Sequence, residues 1–220
     1  DGMAVDRDGV VFIPTREGVV DRYRAGAWEH LSVDLPEKYV LIGQDGLFDA
    51  AGDYWLATDS LGLWRFDGNR WYTYGIPGVV RALAADPAGR IWIGGDVGLV
   101  VRDENTQWHL YSRRELPLAS GIVKDVAVDA AGRVWLVTDD ALLVFNGENV
   151  QTFHPEAVGA RNWGDALVVD NSQTVWVATD GGLAQFRGEP AVGPFAGLKL
   201  EPAETVDEAT MFVDVAEVGP

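Results

Sequence analysis

The feature that most constrains the fold of this 220-residue chain is a string that returns five times. Its clearest copy, Asp49 to Phe66, reads DAAGDYWLATDSLGLWRF: an Asp-x-x-Gly turn, an apolar run carrying Trp55, a Thr-Asp-Ser break and a second apolar run. Asp accepts hydrogen bonds from backbone just ahead of it and Gly takes positive φ, so turn chemistry bounds the runs and the unit is a hairpin. The turns at Asp86 and Asp129 lead in the same way to Trp92 and Trp135. Weaker copies begin at Asp6, where Phe12 takes the place of the indole, and at Asp170, which leads to Trp176 after losing the turn Gly. A hairpin this short cannot bury itself. A period of about forty residues holding several short strands predicts propeller blades that bury one another.

Each period divides into four strands. In the third copy they run over 79–85, 90–94, 98–102 and 107–111, and the other copies map onto it. First strands such as Val126-Ala127-Val128 and Leu167-Val168-Val169 are apolar or small at consecutive positions, as a strand covered on both faces requires. The expected fold is therefore all-β: five four-stranded antiparallel blades at about 1–37, 38–78, 79–120, 121–162 and 163–200. Trp55, Trp92, Trp135 and Trp176 are expected to be buried between neighbours. An acidic segment, 201–220, follows, with a strand-like run at 209–217. Five copies fit an arc of a larger ring; a closed five-bladed propeller is the alternative.

Composition excludes several functions. With 34 acidic against 17 basic side chains the formal charge is −17 and the pI about 4.4, which is unsuited to nucleic acid, whose phosphates demand a basic surface. No apolar run is long enough to span a membrane, so no membrane contact is expected within this chain. No signal peptide is recognisable, and the opening at Asp1 without Met reads as a mature product or a fragment. The absence of Cys removes disulfides, thiolate metal sites and a Cys nucleophile. His30, His109 and His154 lie on or beside outer strands of different copies, so no metal and no other cofactor is expected. Asp6-Arg7-Asp8-Gly9 begins like a calcium loop but lacks its distal Glu, and reads as a plain turn.

The string Asp-x-x-Gly-x-x-Trp-(Ile/Leu)-x-Thr-Asp-x-Gly-Leu-x-x-Phe, followed by Trp-x-x-Tyr as in Trp71 to Tyr74 and Trp108 to Tyr111, resembles the two-component regulator propeller repeat. That repeat occurs in the extracytoplasmic sensor region of bacterial hybrid histidine kinases and related receptors. The resemblance covers residues 1 to about 188. It implies a seven-bladed ring, often paired in tandem, that binds a ligand, commonly glycan-derived, outside the cytoplasm. The departures are the count of five and a fifth copy without its Gly turn or its Trp-x-x-Tyr strand.

What differs between copies is the entrance to the first strand: Gln44 and Asp45, Arg81, Lys124 and Asp125, and Asp165. These side chains should ring one mouth of the channel, joined by Arg161 and Trp163 from the connector, and together they offer donors, acceptors and a stacking face. The expected function is a non-enzymatic sensor module that binds a small glycan or peptide there, with a protein partner or homodimer as a further contact. The row Asp59, Asp96, Asp139 and Asp180 reads as turn capping. The alternative function is a hydrolase or lyase on polysaccharide, using Asp45, Asp125 and Asp165 as acid and base. Arg81 and Lys124 should hold those carboxylates ionised, which favours the sensor.

Overall fold

A computed structural model describes residues 2–15, 19–32, 42–111, 115–118, 121–147, 149–187 and 199–204. The strands form five antiparallel sheets of four. Blade 1 comprises β1 (Ala4–Val5), β2 (Val11–Pro14), β3 (Val19–Arg24) and β4 (Ala27–Ser32). Blade 2 comprises β5 (Gly43–Phe48), β6 (Tyr54–Thr58), β7 (Leu63–Phe66) and β8 (Trp71–Tyr74). Blade 3 comprises β9 (Val80–Ala85), β10 (Ile91–Gly95), β11 (Gly98–Arg102) and β12 (Trp108–Tyr111). Blade 4 comprises β13 (Asp125–Val128), β14 (Val134–Val137), β15 (Leu142–Phe145) and β16 (Val150–Phe153). Blade 5 comprises β17 (Trp163–Val169), β18 (Val175–Thr179), β19 (Gly182–Arg187) and β20 (Lys199–Glu204). Each sheet keeps sequence order, and successive inner strands β1, β5, β9, β13 and β17 are neighbours along the arc.

Period-2 alternation decides which blade each side chain meets. In blades 1 to 4 the aromatic of the second strand faces the blade that follows. Phe12 packs with Tyr54 and Leu56, Trp55 with Ile91 and Ile93, Trp92 with Val134 and Leu136, and Trp135 with Val175 and Val177. Trp55, Trp92 and Trp135 are at most 2% exposed. The Tyr of each Trp-x-x-Tyr outer strand stacks on its own blade's indole, Tyr74 on Trp55 at 5.7 Å and Tyr111 on Trp92 at 6.0 Å between ring centroids.

The turn Asp explains why the indole sits where it does. In Asp129, Oδ1 accepts the N–H of Ala131 and of Arg133, while Oδ2 accepts the Trp135 indole N–H at 2.9 Å and Arg133 Nε at 2.6 Å. The same clamp joins Asp49 to Trp55, Asp86 to Trp92 and Asp170 to Trp176. Asp86 is held below the usual carboxylate range: burial raises it, and the bonds from Trp92 and Arg90 more than offset that burial. In blade 1 Phe12 has no N–H to give, and Asp6 serves the turn alone through Asp8 and Val10.

The ring is an open arc. On blade 1, Met3, Val5 and Trp28 are exposed on the face away from blade 2, and on blade 5, Val168 and Leu183 are exposed. Trp176 is accordingly only partly buried, a correction to the expectation for all four indoles, because the face it should fill has no described neighbour. For the same reason the inner strands of the end blades are covered on one face instead of two. Blade 5 does have a fourth strand: β20 pairs with β19, placing Leu200 opposite Phe186, so the blade continues past 200 to Glu204. The run at 209–217 lies outside the described residues.

Candidate functional site

The residue that varies between copies is an extra residue in the ladder. In blade 3, Gly94 pairs with Ala82 and Gly95 with Val80, so Arg81 is left over as a β-bulge. Gln44 is the corresponding residue between Gly43 and Asp45, and Asp165 falls inside the irregular stretch between Trp163 and Leu167. In blade 4 the Lys124 N–H reaches Val137 O, although Val137 is the ladder partner of Asp125. A bulge bends the strand and re-aims its side chain. Here it turns Gln44, Arg81, Lys124 and Asp165 toward a cavity of about 520 Å³, whose lining is completed by Ile122 and Asp139.

The charges in this cavity are coupled from blade to blade. Arg81 donates through Nε and a terminal nitrogen to Asp96 Oδ1, at 3.1 and 2.8 Å. Lys124 Nζ lies 3.0 Å from Asp139 of its own blade and 2.8 Å from Asp165 of blade 5. Its pKa is raised, first by the bond to Asp165 and then by Asp139, against some desolvation. Asp165 itself is 82% exposed along its side chain. The cavity thus presents a guanidinium, an ammonium, two carboxylates and an amide, with Ile122 as its apolar wall.

The acidic row is not simple turn capping. Asp96 Oδ2 accepts the Val79 N–H and Asp180 Oδ1 accepts the N–H groups of Arg161 and Asn162, so these acids hold the entry to the inner strand of their own blade. Those N–H bonds lower the pKa of both carboxylates. The turn between second and third strands is closed instead by threonines. Thr58 Oγ1 accepts the Leu61 N–H and donates to Gly62 O, and Thr138 does the same around Ala141. Sequence reading therefore missed Asp139 as a cavity residue. The signal was a constant separation of 15 residues, seen in Arg81 and Asp96 and repeated by Lys124 and Asp139.

Other candidates stand away from the cavity. Asp45 and Asp125 turn sideways into the seam between blades. Asp45 accepts the N–H of Gly46 in its own strand and of Leu83 in blade 3, at 2.8 and 2.7 Å. Asp125 accepts those of Val126 and of Leu167 in blade 5, at 2.8 and 2.6 Å. Burial raises both carboxyls, Asp125 to about 6, with the negative charge of Asp45 adding to the push. Desolvation outweighs the backbone N–H bonds that each accepts, and Arg81 and Lys124, expected to hold them ionised, pair instead with Asp96 and with Asp139 and Asp165. Trp163 is buried at 3% exposure, gives its indole N–H to Phe153 O and packs beside Phe186, so its ring offers no stacking face. Arg161 is exposed, and its backbone serves Asp180. His30, His109 and His154 lie apart on blades 1, 3 and 4, each beside a polar group of its own surroundings. At the opposite mouth the Asp turns surround a wider opening of about 870 Å³.

Residues 74–96 match the family profile of the two component regulator propeller. No curated protein matches the sequence. Among solved structures, the extracellular domain attributed to a hybrid two component system of B. thetaiotaomicron superposes with a TM-score of 0.67 at 20% identity. That match covers 82% of this chain and 26% of that one. The extracellular domain attributed to a one component system of the same organism gives 0.69 at 18% identity, over 90% of this chain and 27% of that one. Virginiamycin B lyase from Staphylococcus aureus gives 0.70 at 13% identity, over 91% and 69%. Likeness at these identities concerns the fold. The chain spans about a quarter of the two extracellular domains.

Proposed function

We propose that this propeller arc is a non-enzymatic sensor module of a bacterial signal-transduction receptor. It works outside the cytoplasm and takes a small glycan or peptide at the mouth lined by Gln44, Arg81, Ile122, Lys124, Asp139 and Asp165. The observation that carries this reading is the bulge series. Four blades place a different polar side chain, neutral, cationic, cationic and anionic in turn, at one structural position around one cavity. Packing needs identical residues at identical positions, whereas recognition needs different ones. A ligand that presents both donors and acceptors can exchange hydrogen bonds with the Arg81–Asp96 and Asp139–Lys124–Asp165 groups without leaving a buried charge unpaired.

The lyase-type reading draws support from the fold of virginiamycin B lyase and from the raised carboxyl of Asp125. It is opposed by where that carboxyl points. Both oxygens of Asp45 and of Asp125 accept backbone N–H groups in a seam between blades, so neither is aimed at a substrate in the mouth.

The test is titration calorimetry of glycan and peptide panels against the wild type and an Arg81→Ala, Lys124→Ala double variant. A ligand that binds the wild type and loses at least tenfold in affinity for the variant is the expected result. Equal affinity for both proteins would move the site elsewhere. Turnover of a panel member, abolished by Asp125→Asn, would replace the sensor reading with the enzyme one.

A further inference from the structure

Resting on the assignment of the mouth as the binding site, we infer that its ligand is a small zwitterion: a free amino acid or a short peptide with both termini unblocked. Its carboxylate meets Arg81 and its ammonium group meets Asp139 and Asp165. The charges that an entering group encounters are divided along the arc. Blade 3 contributes Arg81, while Asp96, its partner, is not part of the cavity lining. Both bonds to Asp96 run to Oδ1, from Nε and one terminal nitrogen, so the other terminal nitrogen of the fork has no acceptor among the described residues. A carboxylate can take that donor. One blade on, the sign reverses: the side chains of Asp139 and Asp165 are 51% and 82% exposed, and that of Lys124, which joins them, is 23% exposed. Two carboxylates against one ammonium leave this side of the mouth net negative, with the acids outermost. An ammonium group can share them.

Ligands of a single sign fit less well. The formal charge of −17 repels an anion such as an acidic sugar over the whole surface. A cation would meet Arg81 and Lys124 with no anion of its own to set against them. A neutral sugar needs a ring or a broad apolar wall for its C–H face. The cavity lining holds no aromatic side chain, Ile122 is its single apolar residue, and the ring of Trp163 is buried. A zwitterion is neutral as a whole and gives each end an opposite charge, through charge-assisted hydrogen bonds roughly twice as strong as neutral ones. The cavity, at about 520 Å³, falls among small-molecule sites of about 300–1,000 Å³, and Ile122 would receive an aliphatic side chain.

Titration calorimetry of the wild type with free amino acids and aliphatic dipeptides, and with the N-acetyl and C-terminal amide forms of each, tests this without altering the protein. At least one unblocked compound should bind, and blocking either terminus should weaken it at least tenfold. Variants then locate the two ends. Arg81→Gln should bind the free acid and the amide with equal affinity, and an Asp139→Asn, Asp165→Asn double variant should bind the free amine and the acetylated form equally. Discrimination retained in either variant, or no binding by any unblocked compound, would overturn the inference. Oligosaccharides that bind the wild type and are lost from the Arg81→Ala, Lys124→Ala variant would overturn the zwitterion while leaving the mouth as the site. An unblocked dipeptide that binds the wild type and that same variant equally would remove the mouth itself.

Discussion

The double duty of the turn Asp can be tested by changing one atom. In Asp129→Asn the side chain keeps one oxygen, which still serves the Ala131 and Arg133 N–H groups, and the other becomes an NH2 facing two donors. Turning the amide over only moves the mismatch to the backbone. The Trp135 indole N–H, on a fully buried side chain, is then left without an acceptor, at a cost of about 1 to 3 kcal/mol. The charge-assisted bond from Arg133, whose side chain is 12% exposed, is lost as well, at a further cost of about 1.5 to 3 kcal/mol. The two effects share one carboxylate and do not add fully, so the expected destabilisation is roughly 3 to 5 kcal/mol. For a domain of this size that lowers the melting midpoint by about 6 to 20 °C. Asp6→Asn is the internal control, because its turn leads to Phe12, and it should cost less than about 1 kcal/mol. Urea denaturation followed by tryptophan fluorescence, with the m-value checked for constancy, measures both. Equal midpoints for the two variants would refute the clamp.

Two further outcomes follow from the seams between blades. Asp125 titrates near 6 in the folded protein against about 3.9 unfolded, so its contribution to stability is fully present below about pH 4 and is lost as pH rises through 6. At most this is about 3 kcal/mol; denaturation of wild type and Asp125→Asn should therefore favour the variant increasingly from pH 4 to 7.5, and a constant difference would count against it. Gly46→Ala would set a Cβ 2.2 Å from Gly2 O and 2.9 Å from the Tyr54 hydroxyl that donates to that same oxygen. It should destabilise by roughly 3 kcal/mol or more, whereas Gly89→Ala, at φ +85° in open space, costs about 1 to 2 kcal/mol for its backbone alone; denaturation midpoints compare the two.

The blades were legible in the sequence because the constraints that make them are local. Turn chemistry and strand alternation act over a few residues, and strand limits in blade 3 lie within one residue of those expected. What escaped was contact at a distance. Nothing in Asp45 or Asp125 says that its second oxygen reaches Leu83 or Leu167, about forty residues on. Trp163 looked available because polar neighbours precede it, yet the irregular pairing at its strand entrance leaves its indole in the core. Gln44, Arg81, Lys124 and Asp165 were found because they break the repeat, while the bulge that aims them leaves no mark in residue type. Trp176 showed the converse, since its pattern promised a neighbour that the described residues do not contain.

Because each of those four residues is surplus to its ladder, its side chain lines the mouth instead of the apolar seam behind it, although Lys124 and Asp165 meet across blades 4 and 5 as an ion pair. Arg81, whose ion pair is with Asp96 of its own blade, can be exchanged for the Lys or Gln of another blade while the apolar packing between blades is kept. The rim is thus a short text written on a fixed page: copies of one scaffold can diverge in what they recognise through four letters, while the clamps and indoles beneath them keep their spelling.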